Sequence, residues 1–475
     1  MSVITVSAPR TSRRQWLATG CLMLGAFMNI LDATIVNLAL PAIRDDLGAS
    51  PGALQWILVV YVLTFAAGLL PFGRFGDVYG RRRVFAVGLI GFMATSLAAG
   101  TAPDVATLIL TRAAQGLAAA AMVPQVLAIV HGLFDREDRG KAIGYFGMVS
   151  ALGAIAGPVL GGAVIAGDWF GLGWRAIFLI NLPLGAMALA GALLLLPRDQ
   201  RSGGLPDWPG AVYVAVALAT LVYPLIEGRS LGWPLWLLAF PALSASLSLV
   251  FWRRQIRLGR LDRLQTLPPG LIRAPGFVAG VVTVMVLISG MAGTMVTLAI
   301  FLQSGLGLTP AAAGLAIAPH PAAAMVASML SGRLGSRRLG SRILLGIVTL
   351  FLGMVWLLLD VGASESGSDI LGPLLLVGAG GGTAFVALFQ VALSQVSAPD
   401  AGAGSGALQA LQQVGIALGI AVVGQLFFAR LGEAHDTASY RAAMSAALLY
   451  PVIACAALGL FALLRTKTGA AAHDT

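Results

Sequence analysis

Apolar positions along this chain come in long blocks, not in short periods. A helix needs about 20 apolar residues to cross the hydrocarbon of a bilayer. Runs of that order recur at 15–41, 51–73, 83–101, 105–130, 142–166, 176–196, 209–227, 233–252, 275–302, 309–331, 343–360, 370–396, 402–428 and 440–464. They predict fourteen spanning helices, an all-α polytopic membrane protein. Polar residues are confined to the joints. The longest polar stretch, about 253–274, is too short for a soluble domain and reads as a basic, partly helical connector that can meet anionic lipid.

Composition agrees with this pattern. Hydrophobic residues make up 58% of the 475 and charged residues 11%, with a mean hydropathy of +0.88. Soluble proteins run nearer 45–50% and about 25%. The net charge of +10 would suit nucleic acid, but its distribution says otherwise. On one side of the predicted spans fall 24 basic residues, on the other five (Arg44, Arg175, Arg229, Arg430 and Arg441), and Arg112 lies within a span. This is the asymmetry of the positive-inside rule, and it places both termini in the cytoplasm. Arg outnumbers Lys heavily, with only Lys141 and Lys467, as a GC-rich bacterial genome would produce. The expected location is therefore a bacterial cytoplasmic membrane.

Two features mislead. Ser12-Arg13-Arg14-Gln15-Trp16-Leu17 resembles a twin-arginine export signal. The apolar run after it is too long for a signal peptide and reads as the first span. Cys21 and Cys455 sit in apolar runs near opposite ends of the chain and form no disulfide or metal-ligand pattern.

Candidate chemistry is sparse. Asp32 is the only acid well inside any span, and Arg112 the only base. Charges inside a bilayer are costly and mark functional sites by default. A buried carboxylate is placed to exchange a proton, and Arg112 to modulate it directly or through water. The competing readings are a structural acid and an arginine that snorkels to the surface. Gly153, Gly157 and Gly161 form a stripe on the fifth span, beside Pro158 and Gly162. A weak repeat relates Gly73-Arg74-Phe75-Gly76-Asp77-Val78-Tyr79-Gly80-Arg81-Arg82 to Gly332–Arg342, each following the second span of a six-helix unit if spans seven and eight are an insertion.

These stretches resemble the major facilitator superfamily. The 73–83 loop is similar to its G-x-x-x-D-R-x-G-R-R signature, with Val78 in place of the usual arginine; the second copy has Ser336 in place of the acid. Leu31-Asp32-Ala33-Thr34 to Pro41 resembles the first-helix signature of fourteen-span drug/proton antiporters of the EmrB/QacA type. Gly153-x-x-x-Gly157-Pro158-x-x-Gly161-Gly162 resembles the antiporter motif, and Arg112-x-x-Gln115-Gly116 the fourth-helix motif. The resemblance implies two six-helix bundles at 1–200 and 275–475, with two inserted helices and the basic connector at 201–274. It implies a conformational latch at Gly73, Asp77, Gly80, Arg81 and Arg82, and proton coupling at Asp32 and Arg112.

Tyr61, Thr64, Gln115, His320, Gln409, Gln412 and Gln413 are candidate substrate-cavity residues. For His320 a hydrogen-bonded structural histidine is the favoured reading over a proton or substrate contact, and the glutamines read equally as bridges to a neighbouring helix. Trp174-Arg175 through Asn181-Leu182-Pro183 resembles the family's sixth-helix entrance and reads as structural.

No P-loop, H-E-x-x-H or G-x-S-x-G is present. The chain is expected to be no enzyme, to use no cofactor, metal or nucleotide, and to draw on a proton gradient. Its expected partners are the bilayer, protons and a small hydrophobic or amphipathic substrate, with no nucleic acid. A monomer is expected, and a periplasmic adaptor stays open. Drug efflux by alternating access is the leading expectation; a proton symporter importing a small solute and a non-transporting sensor or scaffold are the alternatives.

Overall fold

A computed structural model describes residues 12–134, 136–196, 207–261, 265, 267, 270–271, 275–334, 338–362, 366–394, 401–433 and 436–471. All regular structure among the described residues is helical, and fourteen segments are long and apolar enough to span a membrane. The expected number and order of spans are thus found.

Five single helices come first: α1 (Arg13–Leu47), α2 (Pro51–Tyr79), α3 (Arg81–Gly100), α4 (Val105–Leu133) and α5 (Arg136–Ala166). The sixth span is composite, with two 3-10 turns, α6 (Ala176–Leu179) and α7 (Asn181–Leu195). Pro183 has no N–H for the Leu179 carbonyl, so the helix is interrupted between the two pieces. The inserted pair is α8 (Trp208–Glu227) and α9 (Ala239–Arg260). There follow α10 (Pro275–Ile300), a π turn (Phe301–Gly305), α11 (Pro310–Ile317), α12 (Pro319–Arg333), α13 (Leu339–Val361), α14 (Leu371–Ser394), α15 (Ala401–Leu431) and α16 (Thr437–Ala471). Pro319 and Pro321 divide α11 from α12 in the same way.

Local signals set the ends. Ser12 and Gln15 form a capping box on α1, and Gly48 ends that helix at φ +64°. Asp104 caps α4 through the Thr107 N–H, and Thr309 caps α11 through Ala312.

In the first half, α1 packs on α4, α5 and α7, and α4 also holds α2 and α3. In the second, α14 holds α12 and α13, α10 lies on α15, and α13 lies on α16. The outer surface is apolar: Leu110, Leu194 and Leu359 are 71%, 73% and 72% exposed, which only lipid makes cheap. One end of the bundle, where α1 and α3 begin, carries Arg13, Arg14 and Arg81–Arg83.

At the opposite end the two halves meet closely. Gln303 in the π turn donates to the Leu38 carbonyl at 3.1 Å, and α5 lies against α11. The inserted helix α8 packs on α2 of one half and α15 of the other. At its far end, Glu227 accepts from Trp56 Nε1 and Ser230 Oγ, both at 2.9 Å, and just beyond it Arg229 donates to the Phe428 carbonyl. The insertion therefore ties both halves together.

Candidate functional site

Asp32 lies midway along α1 and is fully buried, as are Arg112 and Gln115 of α4. The latter two are three residues apart and so share a helix face. Arg112 Nη1 donates to Asp32 Oδ2 at 2.5 Å and to Gln115 Oε1 at 2.6 Å. Gln115 Nε2 donates to Asp32 Oδ1 at 2.9 Å and to Ser96 Oγ of α3 at 2.8 Å. Asn181, the first residue of α7, donates from Nδ2 to Asp32 Oδ1 at 3.0 Å and to Ser96 Oγ at 3.2 Å. Its Oδ1 is buried without a hydrogen-bond partner. Four helices thus meet in one polar cluster, in which the Asp32 carboxylate of α1 accepts from three side chains of α4 and α7 and Ser96 of α3 accepts from two of the same donors.

Arg112 has further support. Its Nε donates to the Ile57 carbonyl at 3.3 Å, and its guanidinium lies 4.1 Å from the Tyr61 ring centroid and 5.8 Å from that of Phe178. Tyr61 in turn donates to Asn29 Oδ1 at 2.7 Å. A snorkelling Arg112 is ruled out, since the side chain is 1% exposed and aimed into the bundle. Tyr61 and Gln115, expected as candidate cavity residues, are both placed in this polar cluster. Thr64 turns its hydroxyl back to the Val60 and Tyr61 carbonyls of its own helix, where α2 meets Gly116 of α4. A Cβ on Gly116 would strike Thr64 Oγ1 and the Tyr61 carbonyl.

The glycine stripe of α5 faces the helix that carries Asp32. A Cβ at Gly153 would meet Ile30 and the Phe27 carbonyl at 3.2 Å, one at Gly157 would strike Thr34, and one at Gly161 would come 2.7 Å from Ile35. Gly162 points to the other half: its Cβ would overlap the Pro310 carbonyl of α11. Reciprocally, a Cβ on Gly314 of α11 would overlap the Pro158 carbonyl.

In the loop between α2 and α3, Gly80 has φ +101° and ends one helix while starting the next. Arg81 donates to the Ala128 carbonyl of α4 at 2.7 Å. Arg82 donates to the Leu193 and Leu196 carbonyls at 2.6 and 3.1 Å, capping α7. Gly73 stands 3.8 Å (measured from its hypothetical Cβ) from Pro124, an ordinary contact; the close approach is at Gly76, against Gln125. The side chain of Asp77 and residue Ser336 lie outside the described residues.

In the second half, His320 sits at the α11–α12 break, its Nε2 buried without a partner. Gln409, Gln412 and Gln413 are half-buried on one face of α15. None of these four joins the Asp32 cluster. Among the described residues, no three His, Cys, Asp or Glu side chains converge as a metal site.

Sequence reasoning missed Ser96, Asn181 and Gln303. A neutral amide at a proline-interrupted helix joint was the one signal for Asn181.

The family model described as Major Facilitator Superfamily matches residues 22–420. The chain is similar to the probable actinorhodin transporter of Streptomyces coelicolor, 37% identical over 438 residues, covering 90% of this chain and 75% of that one. It is similar to the multidrug resistance protein Stp of Mycobacterium tuberculosis (strain CDC 1551 / Oshkosh; 34% identical, 89% and 77% covered). It also resembles the puromycin resistance protein pur8 of Streptomyces alboniger (34%, 86% and 81%). Among solved structures, a bacterial homolog of the human lysosomal transporter Spinster in an inward-facing, occupied conformation matches with a TM-score of 0.67 at 18% identity, covering 96% of this chain and 98% of that one.

Proposed function

This chain belongs to the Major Facilitator Superfamily, a family of membrane carriers and not of enzymes, and from that premise we propose that it is a proton-coupled exporter of hydrophobic or amphipathic antibiotics, of the EmrB/QacA type. The single observation that carries the coupling is the buried Asp32–Arg112 pair at 2.5 Å. The arginine-rich end is assigned to the cytoplasm of a bacterial inner membrane by the positive-inside rule.

Asp32 in its charged form is compensated by Arg112, Gln115 and Asn181. When a proton arrives on the carboxylate, Arg112 keeps Gln115 Oε1, the Ile57 carbonyl and the Tyr61 ring as partners. The new carboxyl O–H can turn to Asn181 Oδ1, otherwise unpartnered. Protonation then leaves the Arg112 charge held by neutral partners alone, which disfavours the resting packing and supplies a drive for the helices around it to rearrange.

A short physical route leads from this site to the seam between halves. Gly157 and Gly161 press on Thr34 and Ile35, one turn of α1 beyond Asp32, and the same helix carries Pro158 and Gly162 against α11. A shift of α1 on protonation moves α5, and with it the contact that closes the opposite end. This is the arrangement alternating access requires: one buried site, and two halves that rock about it. Substrate binds from the cytosol or inner leaflet, and release outward is coupled to protonation of Asp32.

The test is transport in proteoliposomes with an imposed pH gradient, using puromycin and ethidium as probes. Wild type is expected to move a probe against its gradient only while the pH gradient lasts, and Asp32→Asn to lose that accumulation. Wild-type rates from Asp32→Asn would overturn the assignment.

A further inference from the structure

A cavity of about 200 Å³ lies beside the inserted pair, in the half of the bundle nearer the arginine-rich end. Its walls come from α2 (Ala66, Ala67), α8 (Ala211, Val214), α9 (Phe251) and α15 (Ala410), among others; Ser248 is its one polar side chain. An apolar cavity of about 150 Å³ already holds a benzene molecule, so this one admits one or two fused rings.

Two further facts say what such a cavity serves. It is walled by one helix from each half, so its shape follows their relative position. On α15 the wall residues Ala407, Ala410, Leu411 and Val414 form one stripe, and Gln409, Gln412 and Gln413 fall on the opposite side of the helix. Those glutamines are half-buried. α15 is therefore a one-helix partition, with an apolar chamber on one side and an amide-bearing face on the other. Alanines at Ala66, Ala67, Ala407 and Ala410 keep the α2–α15 edge thin.

We propose that this chamber is a staging site for the aromatic or other apolar part of the exported molecule, reached from the inner leaflet, which then passes between α2 and α15 to the glutamine face. The proposal rests on the export function argued above. A passing lipid chain would need the chamber but not the amide face behind it.

The test uses the full-length protein in phosphatidylethanolamine/phosphatidylglycerol nanodiscs, photolabelled with 1-azidonaphthalene and mapped by mass spectrometry. Label is expected on 211–218 and 407–414, falling at least fivefold in Val214→Trp and in the milder Ala217→Leu; Leu110→Trp on the lipid face should leave it unchanged. In proteoliposomes the two cavity-filling variants should raise KM for N-phenyl-1-naphthylamine about tenfold with kcat within twofold. Label elsewhere, or insensitive to filling, overturns the proposal. So does a photoactivatable phosphatidylglycerol that labels these segments and is not displaced by excess naphthalene probe, since the chamber is then the lipid's. If both filled variants fail to fold, the wild-type label map decides. If wild type labels as expected but moves no probe, the export function fails and the cavity assignment stands.

Discussion

At the scale of single residues, the Asp32 cluster is defined by what each member leaves behind when removed. Arg112→Gln strands a carboxylate in the bundle, a loss of about 3–5 kcal/mol by comparison with other buried pairs. The double variant Asp32→Asn/Arg112→Gln removes both charges and should be closer to wild type in thermal midpoint than Arg112→Gln alone; strict additivity would argue against a direct pair. Asn181→Ala deletes one donor to Asp32 and one to Ser96. It should cost about 1–3 kcal/mol and slow gradient-driven export more than Asn181→Ser, which keeps a short donor. Outside the membrane, Asp104 accepts the Thr107 N–H at 2.8 Å, and that backbone bond holds its carboxyl below the ordinary 3.8. A lowered folded value means the cap contributes fully above the unfolded value and is lost as pH falls through the folded one. The thermal gap between wild type and Asp104→Ala should therefore be constant at neutral pH and close only under acid. Asp32 and Arg112 were legible in the sequence because a charge inside an apolar run is conspicuous. Ser96 and Asn181 were not, since neutral polar residues are common in membrane helices and their convergence depends on how α3 and α7 pack.

At the scale of elements, the glycines of α5 are graded by the room each one has. Gly153→Ala asks its neighbours to yield a few tenths of an ångström, whereas Gly157→Ala drives a methyl into Thr34. Gly157→Ala should cost about 1–3 kcal/mol and Gly153→Ala much less, read as thermal midpoints in detergent; equal effects would mean that α1 and α5 separate freely. The same measurement should rank Gly76→Ala, which meets Gln125, below Gly73→Ala, which meets nothing closer than 3.8 Å. Span positions were legible because a 20-residue apolar block has few alternatives to a transmembrane helix. The stripe of Gly153, Gly157 and Gly161 was legible from its spacing. Which helix it faced was not, and neither was the π turn at Phe301–Gly305: a wide turn that aims Gln303 across the seam has no periodic signature.

For the whole molecule, the inserted pair changes how the halves are joined. Glu227 holds the start of α2 through Trp56, and Arg229 holds the end of α15 through Phe428. Opening the opposite end has to break or stretch one of these ties. Arg229→Ala should shift the resting population toward the open form. In a background of Cys21→Ser and Cys455→Ser, Gln55→Cys should then react several-fold faster with a membrane-impermeant maleimide; an unchanged rate would show that the tie does not restrain the seam. The two-helix insertion was legible by counting spans, but its role as a brace across both halves appears only where its far end touches each. One more property follows from the contact between α5 and α11. Gly162 against the Pro310 carbonyl and Gly314 against the Pro158 carbonyl form a seal of neutral backbone surfaces fitted by shape. It has no counter-ions to shed and nothing for dissolved ions to screen. This contact by itself should accordingly be indifferent to the ionic strength of the medium, so whatever salt dependence closure has belongs to the charged ties at Glu227 and Arg229, and this patch would stay equally shut in brine and in fresh water.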